Sequence, residues 1–254
     1  MRFLVIKSKT IKYVVLVVLC CALLALNFGG GASAMVFLGV VPRKVPVYAV
    51  DTQEKKVAIT FDSAWGADKT LKIIEILKEH NASATFFLVG FWVEEYPEMV
   101  KALSDANIEI GTHSNTHADF ANLKESEIKL ELETSVNLIK NITGKQVDLF
   151  RAPYGSYNNT VLSTAESIGL TTIQWDVDTL DWKGLAANEI CERVSNKVKN
   201  GSIILCHNNS EHILEALPVM LTMLTNKGYE ITSVGDLIYK ENYYVDNLGI
   251  QRQK

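Results

Sequence analysis

Val57-Ala58-Ile59-Thr60-Phe61-Asp62-Ser63 is the stretch on which the reading of this chain turns. It is a short apolar run that ends in a carboxylate. Such a run reads as a buried strand, and a carboxylate at its end is costly unless it is paired or functional. The same relation recurs four times. Ile108-Glu109-Ile110 precedes His113-Ser114-Asn115-Thr116-His117, and Asp148-Leu149-Phe150 precedes Arg151-Ala152-Pro153-Tyr154-Gly155. Thr171–Trp175 precedes Asp178-Thr179-Leu180-Asp181-Trp182, and Ser202-Ile203-Ile204 precedes Leu205-Cys206-His207.

Helical spacing fills the intervals, over 68–80, 94–106, 124–142, 158–168, 187–199 and 211–226. Gly144, Gly169, Gly201 and Gly228 supply stops. Pro97 falls in a first turn, and Pro218 marks a kink. Runs at 84–88, 229–232 and 234–239 complete the strand series. Strict alternation predicts parallel strands with right-handed crossovers. The expected fold is α/β, a single (β/α) barrel of about seven strands, with an open doubly wound sheet as the alternative. Either fold gathers all five polar clusters at one end. No phosphate-cradling glycine fingerprint follows a strand, which counts against a nucleotide site.

The first 34 residues hold Arg2, Lys7, Lys9 and Lys12 and no acid, then an apolar run from Tyr13 to Phe28, three glycines and Ala32-Ser33-Ala34. This is the order of a secretory signal. An apolar run continued through Met35–Leu38 would instead make an uncleaved membrane anchor. Both readings export the rest of the chain. The expected organisation is a signal or anchor helix over 1–34, a linker over 35–54, the barrel over 55–240 and a tail over 241–254. The chain of 254 residues carries −4, and beyond residue 34 it carries −8, with 21 basic against 29 acidic residues. That balance argues against a polyanion partner such as nucleic acid. Cys191 and Cys206 read as buried thiols or, in an exported chain, as a bridge.

Each cluster carries chemistry. His113 and His117, four apart, can grip one metal ion from a helix or tight turn. Arg151 is followed by Pro153 and Gly155, a rigid turn able to aim its fork at a carboxylate. Asp181 stands beside Trp182, an acid against an apolar wall. His207 ends its strand, where imidazole can act as a general acid.

Together the five clusters resemble the five motifs of the polysaccharide deacetylases, carbohydrate esterase family 4, the NodB-homology group. The resemblance spans about residues 55–240, and Asp62-Ser63-Ala64-Trp65-Gly66 is most similar to the PdaB-type sporulation branch. It implies a distorted (β/α) barrel that removes N-acetyl groups from glycans such as peptidoglycan, usually with a divalent metal. It implies Asp62 as base, His113 and His117 as metal ligands, and Arg151 as the residue that orients Asp62. The Tyr154 backbone N–H would hold the oxyanion, and Trp182 and Leu205 would wall the acetyl pocket. His207 would be the acid, held by one of Asp178 and Asp181, with Asp178 preferred.

The chain departs from that pattern at Ser63, where the family carries a second, metal-binding aspartate. A hydroxyl is a poor substitute for a carboxylate on Zn²⁺. A zinc ion would be weakly bound, or the chain would work with none, unless Asp68 or Asp119 fills in. The expectation is an exported peptidoglycan N-deacetylase, membrane-anchored or secreted, at the cell wall or spore cortex. A catalytically weak glycan-binding relative in the spore envelope is the alternative, and a small-amide hydrolase is a third reading that the export segment disfavours.

Overall fold

The computed structural model describes residues 8–27 and 42–254. The chain divides into two compact units, up to Arg43 and from Lys44 onward. The first holds helix α1 (Ser8–Asn27), whose residues Tyr13 to Leu19 are exposed. Among the described residues no helix is long and apolar enough to cross a membrane. The glycine run, the Ala32-Ser33-Ala34 pattern and residues 35–41 of the expected linker lie outside the described residues.

The second unit contains β1 (Ala49–Val50), β2 (Lys56–Ser63), β3 (Thr85–Leu88), β4 (Glu109–Thr112), β5 (Leu149–Phe150) and β6 (Thr171–Thr172). It continues with β7 (Val177–Asp178), β8 (Ile203–His207), β9 (Glu230–Thr232), β10 (Tyr243–Val245) and β11 (Ile250–Gln253). Its helices are α2 (Thr70–Glu79), α3 (Gly90–Glu95), α4 (Pro97–Asp105), α5 (Glu125–Thr143), α6 (Asn159–Ser167), α7 (Ala187–Lys197), α8 (Ile213–Asn226) and α9 (Val234–Leu237). Seven parallel strands run in the order β6-β5-β4-β3-β2-β8-β7, and β9 pairs with the start of β2. The sheet curls into a half-barrel with helices outside, as the alternation predicts.

Strand geometry sets what faces the inside. Side chains alternate across a strand. Val57, Ile59 and Phe61 of β2, with Ile204 and Cys206 of β8, join the core beneath the helices. Ala58 and Ile203 instead pack with Phe87, Leu149 and Ile173 in a second core within the curl. Thr60 and Asp62 share the face of Ala58, and Leu205 and His207 share that of Ile203. Asp62 pairs in register with His207. The candidate base and acid therefore sit side by side at one level of the barrel mouth.

The described residues of the expected linker and tail are folded. β11 pairs in parallel with β1 and antiparallel with β10. The path from β6 to β7 leaves a seam, and the segment before β2 ties it. Val47 N donates to Thr172 O (3.0 Å), Gln174 N donates to Val47 O (2.7 Å), and Val50 N donates to Gly201 O (2.9 Å). The span 234–239, read as a strand, begins as α9, because Ser233 Oγ accepts from Asp236 N and caps it. The helix expected over 94–106 starts at Pro97, with a separate α3 before it. Pro218 lies inside an unbroken α8. Cys191 and Cys206 are both buried free thiols.

Candidate active site

The five clusters meet at the C-terminal mouth of the strands around a cavity of about 670 Å³. Asp62, His113, His117, Tyr154, Asp178, Asp181, Trp182, Leu205 and His207 all line it. Arg151 lies beneath, fully buried.

Arg151 follows β5 and reaches across the interior. Its Nη1 donates to Asp62 Oδ1 (2.7 Å) and to Thr60 Oγ1 (2.8 Å), and its Nη2 donates to Gln174 O (3.1 Å). The guanidinium stacks 4.2 Å over the Phe87 ring. Burial pushes the Asp62 carboxyl up, but the charges of Arg151, His113 and His207 outweigh it and hold the group below its ordinary range. Asp62 is therefore ionised at neutral pH. The same ion pair makes it a weak base.

His113 is pinned from behind. Arg151 O can only accept, so His113 Nδ1 carries the proton in their 2.8 Å bond and Nε2 keeps its lone pair. Nε2 lies 3.6 Å from Asp62 Oδ2. Both atoms accept only, so this edge of the site suits a donor, such as a water O–H. His117 stands edge-on to His113, their ring centroids 5.0 Å apart. Burial, then the neighbouring His113, lowers His117 to about 4, and burial lowers His113 too. Both imidazoles are neutral at pH 7.

The turn that carries them is strained. Ser114 (φ 76) and His117 (φ 58) adopt left-handed backbone. Ser114 Oγ accepts from His117 N (2.8 Å). Glu131 of α5 accepts from Asn115 N (2.9 Å), Thr116 N (2.8 Å) and Thr116 Oγ1 (2.7 Å). Glu131 and Thr60 escaped the sequence reading. Thr60 had a signal, a hydroxyl in an otherwise apolar strand interior. Glu131 had none, being one of several acids on an amphipathic helix.

The acid side is corrected in one respect. Asp181, not Asp178, holds His207: Oδ1 accepts from Nδ1 (2.7 Å) and Oδ2 from the His207 N–H (2.8 Å). Leu180 is left-handed (φ 55), which reverses the chain and turns Asp181 inward. Asp178 Oδ1 instead accepts from Leu180 N (2.8 Å) and so shapes that turn. Burial lowers the His207 pKa, but the bond and charge of Asp181 outweigh it, and the net shift is upward. A proton sits on His207 more readily than on free imidazole, as an acid requires. Across the mouth, Tyr154 is left-handed (φ 60), and its N–H meets no acceptor among the described residues.

The fit to a divalent metal is incomplete. Two neutral imidazoles suit such an ion, but a catalytic zinc usually has three protein ligands. Ser63 closes β2 with a buried hydroxyl that has no partner. Neither Asp68 nor Asp119 lines the cavity, and Asp119 accepts from Ser156 Oγ and Asn122 Nδ2. Among the described residues no group of three or more His, Cys, Asp or Glu is arranged to hold a metal. The donor set therefore falls one anionic ligand short.

A parallel half-barrel with an arginine-clamped carboxylate, a neutral histidine pair and an Asp-held histidine at its mouth defines a hydrolase of the acid–base type. The model of the family described as polysaccharide deacetylase matches residues 49–173. The peptidoglycan-N-acetylmuramic acid deacetylase PdaA of Bacillus subtilis is 31% identical over 205 residues, covering 79% of this chain and 78% of that protein. YlxY of the same organism is 32% identical over 193 residues, and the match covers 76% of this chain but only 60% of that protein. Among solved structures, BA3943 of Bacillus anthracis, described as a CE4 family pseudoenzyme, aligns with a TM-score of 0.74 at 36% identity, covering 79% of this chain and 70% of that one. A mutant of it, described as having restored enzymatic activity, aligns with the same TM-score at 38% identity. The chain belongs to the polysaccharide deacetylases, carbohydrate esterase family 4, hydrolases of carbon–nitrogen bonds.

Proposed function

We propose that this chain is an exported N-deacetylase of peptidoglycan, acting outside the cytoplasm at the cell wall or spore cortex. The observation that carries the chemistry is the Asp62–His207 register. A carboxylate and an imidazole that holds its proton more readily than free imidazole face one cavity from neighbouring strands, each fixed from behind by an oppositely charged side chain.

Asp62 takes a proton from the water that attacks the acetyl carbon, and Arg151 holds the carboxylate in line. The Tyr154 N–H faces the developing oxyanion. Leu205 and Trp182 enclose the methyl group. His207 delivers its proton to the leaving amine, and Asp181 fixes its tautomer and stabilises its charge. An arginine-paired carboxylate is a weak base for unactivated water, so the reaction in the parent is slow. His113 and His117 would supply two ligands to a weakly held divalent ion, zinc by ligand type. Basic residues followed by an apolar run and a small-residue pattern within residues 1–34 support the export reading.

Ser63 and the likeness to a pseudoenzyme favour a second reading, a glycan-binding relative with little turnover. Acetate release from N-acetylated peptidoglycan and from chitooligosaccharides separates the two. The first reading expects release by the parent and none by Asp62→Asn. The second expects binding without release.

A further inference from the structure

The turn that delivers Asp181 to His207 is held against its own preference. Leu180 is left-handed (φ 55), and a residue with a side chain keeps such a backbone only where its surroundings fix it. The strand that leads into the turn gives little help. β7 is two residues long and stands at the end of the strand path. Two fastenings come from the turn itself. Asp178 Oδ1 accepts from Leu180 N (2.8 Å), and Thr179 Oγ1 donates to Leu205 O (2.7 Å).

A third fastening comes from outside the mouth. Arg193 lies on α7, and its Nε and Nη2 both donate to Asp178 O, at 3.3 Å each. Among the described residues this guanidinium has no carboxylate partner. A planar fork closed on one carbonyl clamps backbone; it does not pair charge. Arg193 does not line the cavity, so it meets neither a substrate nor the reacting atoms. Ile190 and Val194 on either side of it along α7 are fully buried. The helix is therefore a fixed base from which the clamp can act.

We infer that Arg193 is a positioning residue for the acid. It holds Asp178 O and so keeps the 178–181 turn closed, and the closed turn keeps Asp181 on both His207 Nδ1 and the His207 N–H. The inference rests on the reading of His207 as the acid and extends the apparatus behind it to a helix outside the five clusters. The charged and titratable groups that face His207 are Asp181 and Asp178 from this turn, Asp62 from β2, and His113 and His117 from the turn after β4. Burial lowers the proton affinity of His207, and Asp181 supplies most of what outweighs it. Asp181 is also the group whose place depends on the turn. Loss of the clamp therefore lowers that affinity. Loss of a positive charge alone would raise it, so the sign separates a clamp from a charge.

The test reads proton affinity rather than turnover, so it stands apart from whether the chain is an active deacetylase. His207 is titrated by NMR in the histidine-labelled full chain, its signal identified by its loss in His207→Gln. The parent titrates above the ordinary 6.5. In Arg193→Ala the midpoint falls. In Arg193→Lys, which keeps the charge and offers one donor group in place of the fork, it falls less. His80, at the end of α2, serves as the internal reference and does not move. A midpoint that rises in Arg193→Ala and stays put in Arg193→Lys would mean that Arg193 acts by charge alone. A midpoint unchanged in both, whatever stability is lost, would mean that it only supports the fold. Either result overturns the inference. If the alanine variant does not fold, the lysine variant decides, and an unmoved midpoint there overturns it. Where the parent releases acetate, Arg193→Ala lowers kcat by up to about 10²-fold, the cost of a misplaced group, and leaves KM unchanged; an unchanged kcat also overturns it. No release by the parent would sink the deacetylase reading and leave the midpoint to decide this one.

Discussion

The two ends of the half-barrel meet the same backbone demand with different residues. At the base, each of α2, α4, α5, α6, α7 and α8 is followed by a left-handed residue before the next strand. Those residues are Asn81, Asn107, Gly144, Gly169, Gly201 and Gly228, the two types that tolerate this conformation most easily. At the mouth, glycines take some left-handed positions, but Ser114, His117, Tyr154 and Leu180 take four more. A side chain there costs about 1–2 kcal/mol per residue. Each of the four serves the site. Ser114 and His117 shape the histidine turn, Tyr154 presents its N–H, and Leu180 turns Asp181 inward. The base is built for stability, and the mouth holds strain where chemistry is proposed.

The largest break in this contrast comes from the charge at the mouth. Asp62→Ala leaves the fully buried Arg151 guanidinium without its carboxylate. Loss of one member of a buried pair costs about 3–5 kcal/mol. Urea unfolding is expected to show a loss of that size together with abolished acetate release. A loss under about 1 kcal/mol would mean that the interior solvates Arg151 by other means.

His207→Ala sharpens the comparison from the other side. The His207 side chain is partly exposed, at 31%. Its removal is expected to cut acetate release by about 10²–10⁴-fold. Asp181→Asn keeps the imidazole but removes its partner. It is expected to lower the rate and to move the alkaline limb of the pH profile to lower pH, because Asp181 is what raises the His207 pKa.

Stability should follow pH in two opposed ways. His113 and His117 titrate lower in the folded chain than the ordinary 6.5, His117 at about 4. The unfolded chain binds those protons first, so their contribution is lost as pH falls from 6.5 toward 4. His207 titrates higher when folded. Its contribution is full below 6.5 and is lost as pH rises through the raised value. Unfolding free energies measured across pH 4–8 should show both slopes. His117→Ala should flatten the acid side and Asp181→Asn the alkaline side. Unchanged slopes in both variants would contradict the assignments.

The smallest effects test the backbone. Gly144→Ala meets open space but a φ of +67°, so it should destabilise by about 1 kcal/mol. Tyr154→Gly relieves a left-handed tyrosine that is mostly exposed and keeps the backbone N–H, so stability should hold or rise. A Tyr154→Gly protein less stable than the Gly144→Ala one would remove the contrast between the ends.

Much of this was legible in the sequence. Parallel strands that end in polar clusters bring those clusters together whatever the crossovers do in detail, so the barrel and the site members could be read. Discrimination between Asp178 and Asp181 could not. They are three residues apart, and only the left-handed Leu180 between them decides which faces His207. The two-residue strand β7 is too short to show a period. β1 and β11 pair segments about 200 positions apart, with no local signal for a partner so distant. Glu131 acts through backbone N–H groups, which leave no mark on residue type.

The mouth pairs an arginine-held carboxylate with an aspartate-held histidine and, at Ser63, lacks one anionic metal ligand. Acetate release from N-acetylated peptidoglycan by the parent and by Ser63→Asp, each with Zn²⁺ and with a chelator, tests it most directly. Slow release by the parent and faster, chelator-sensitive release by Ser63→Asp are expected. Rapid release by the parent that neither Zn²⁺ nor the added carboxylate changes would contradict it.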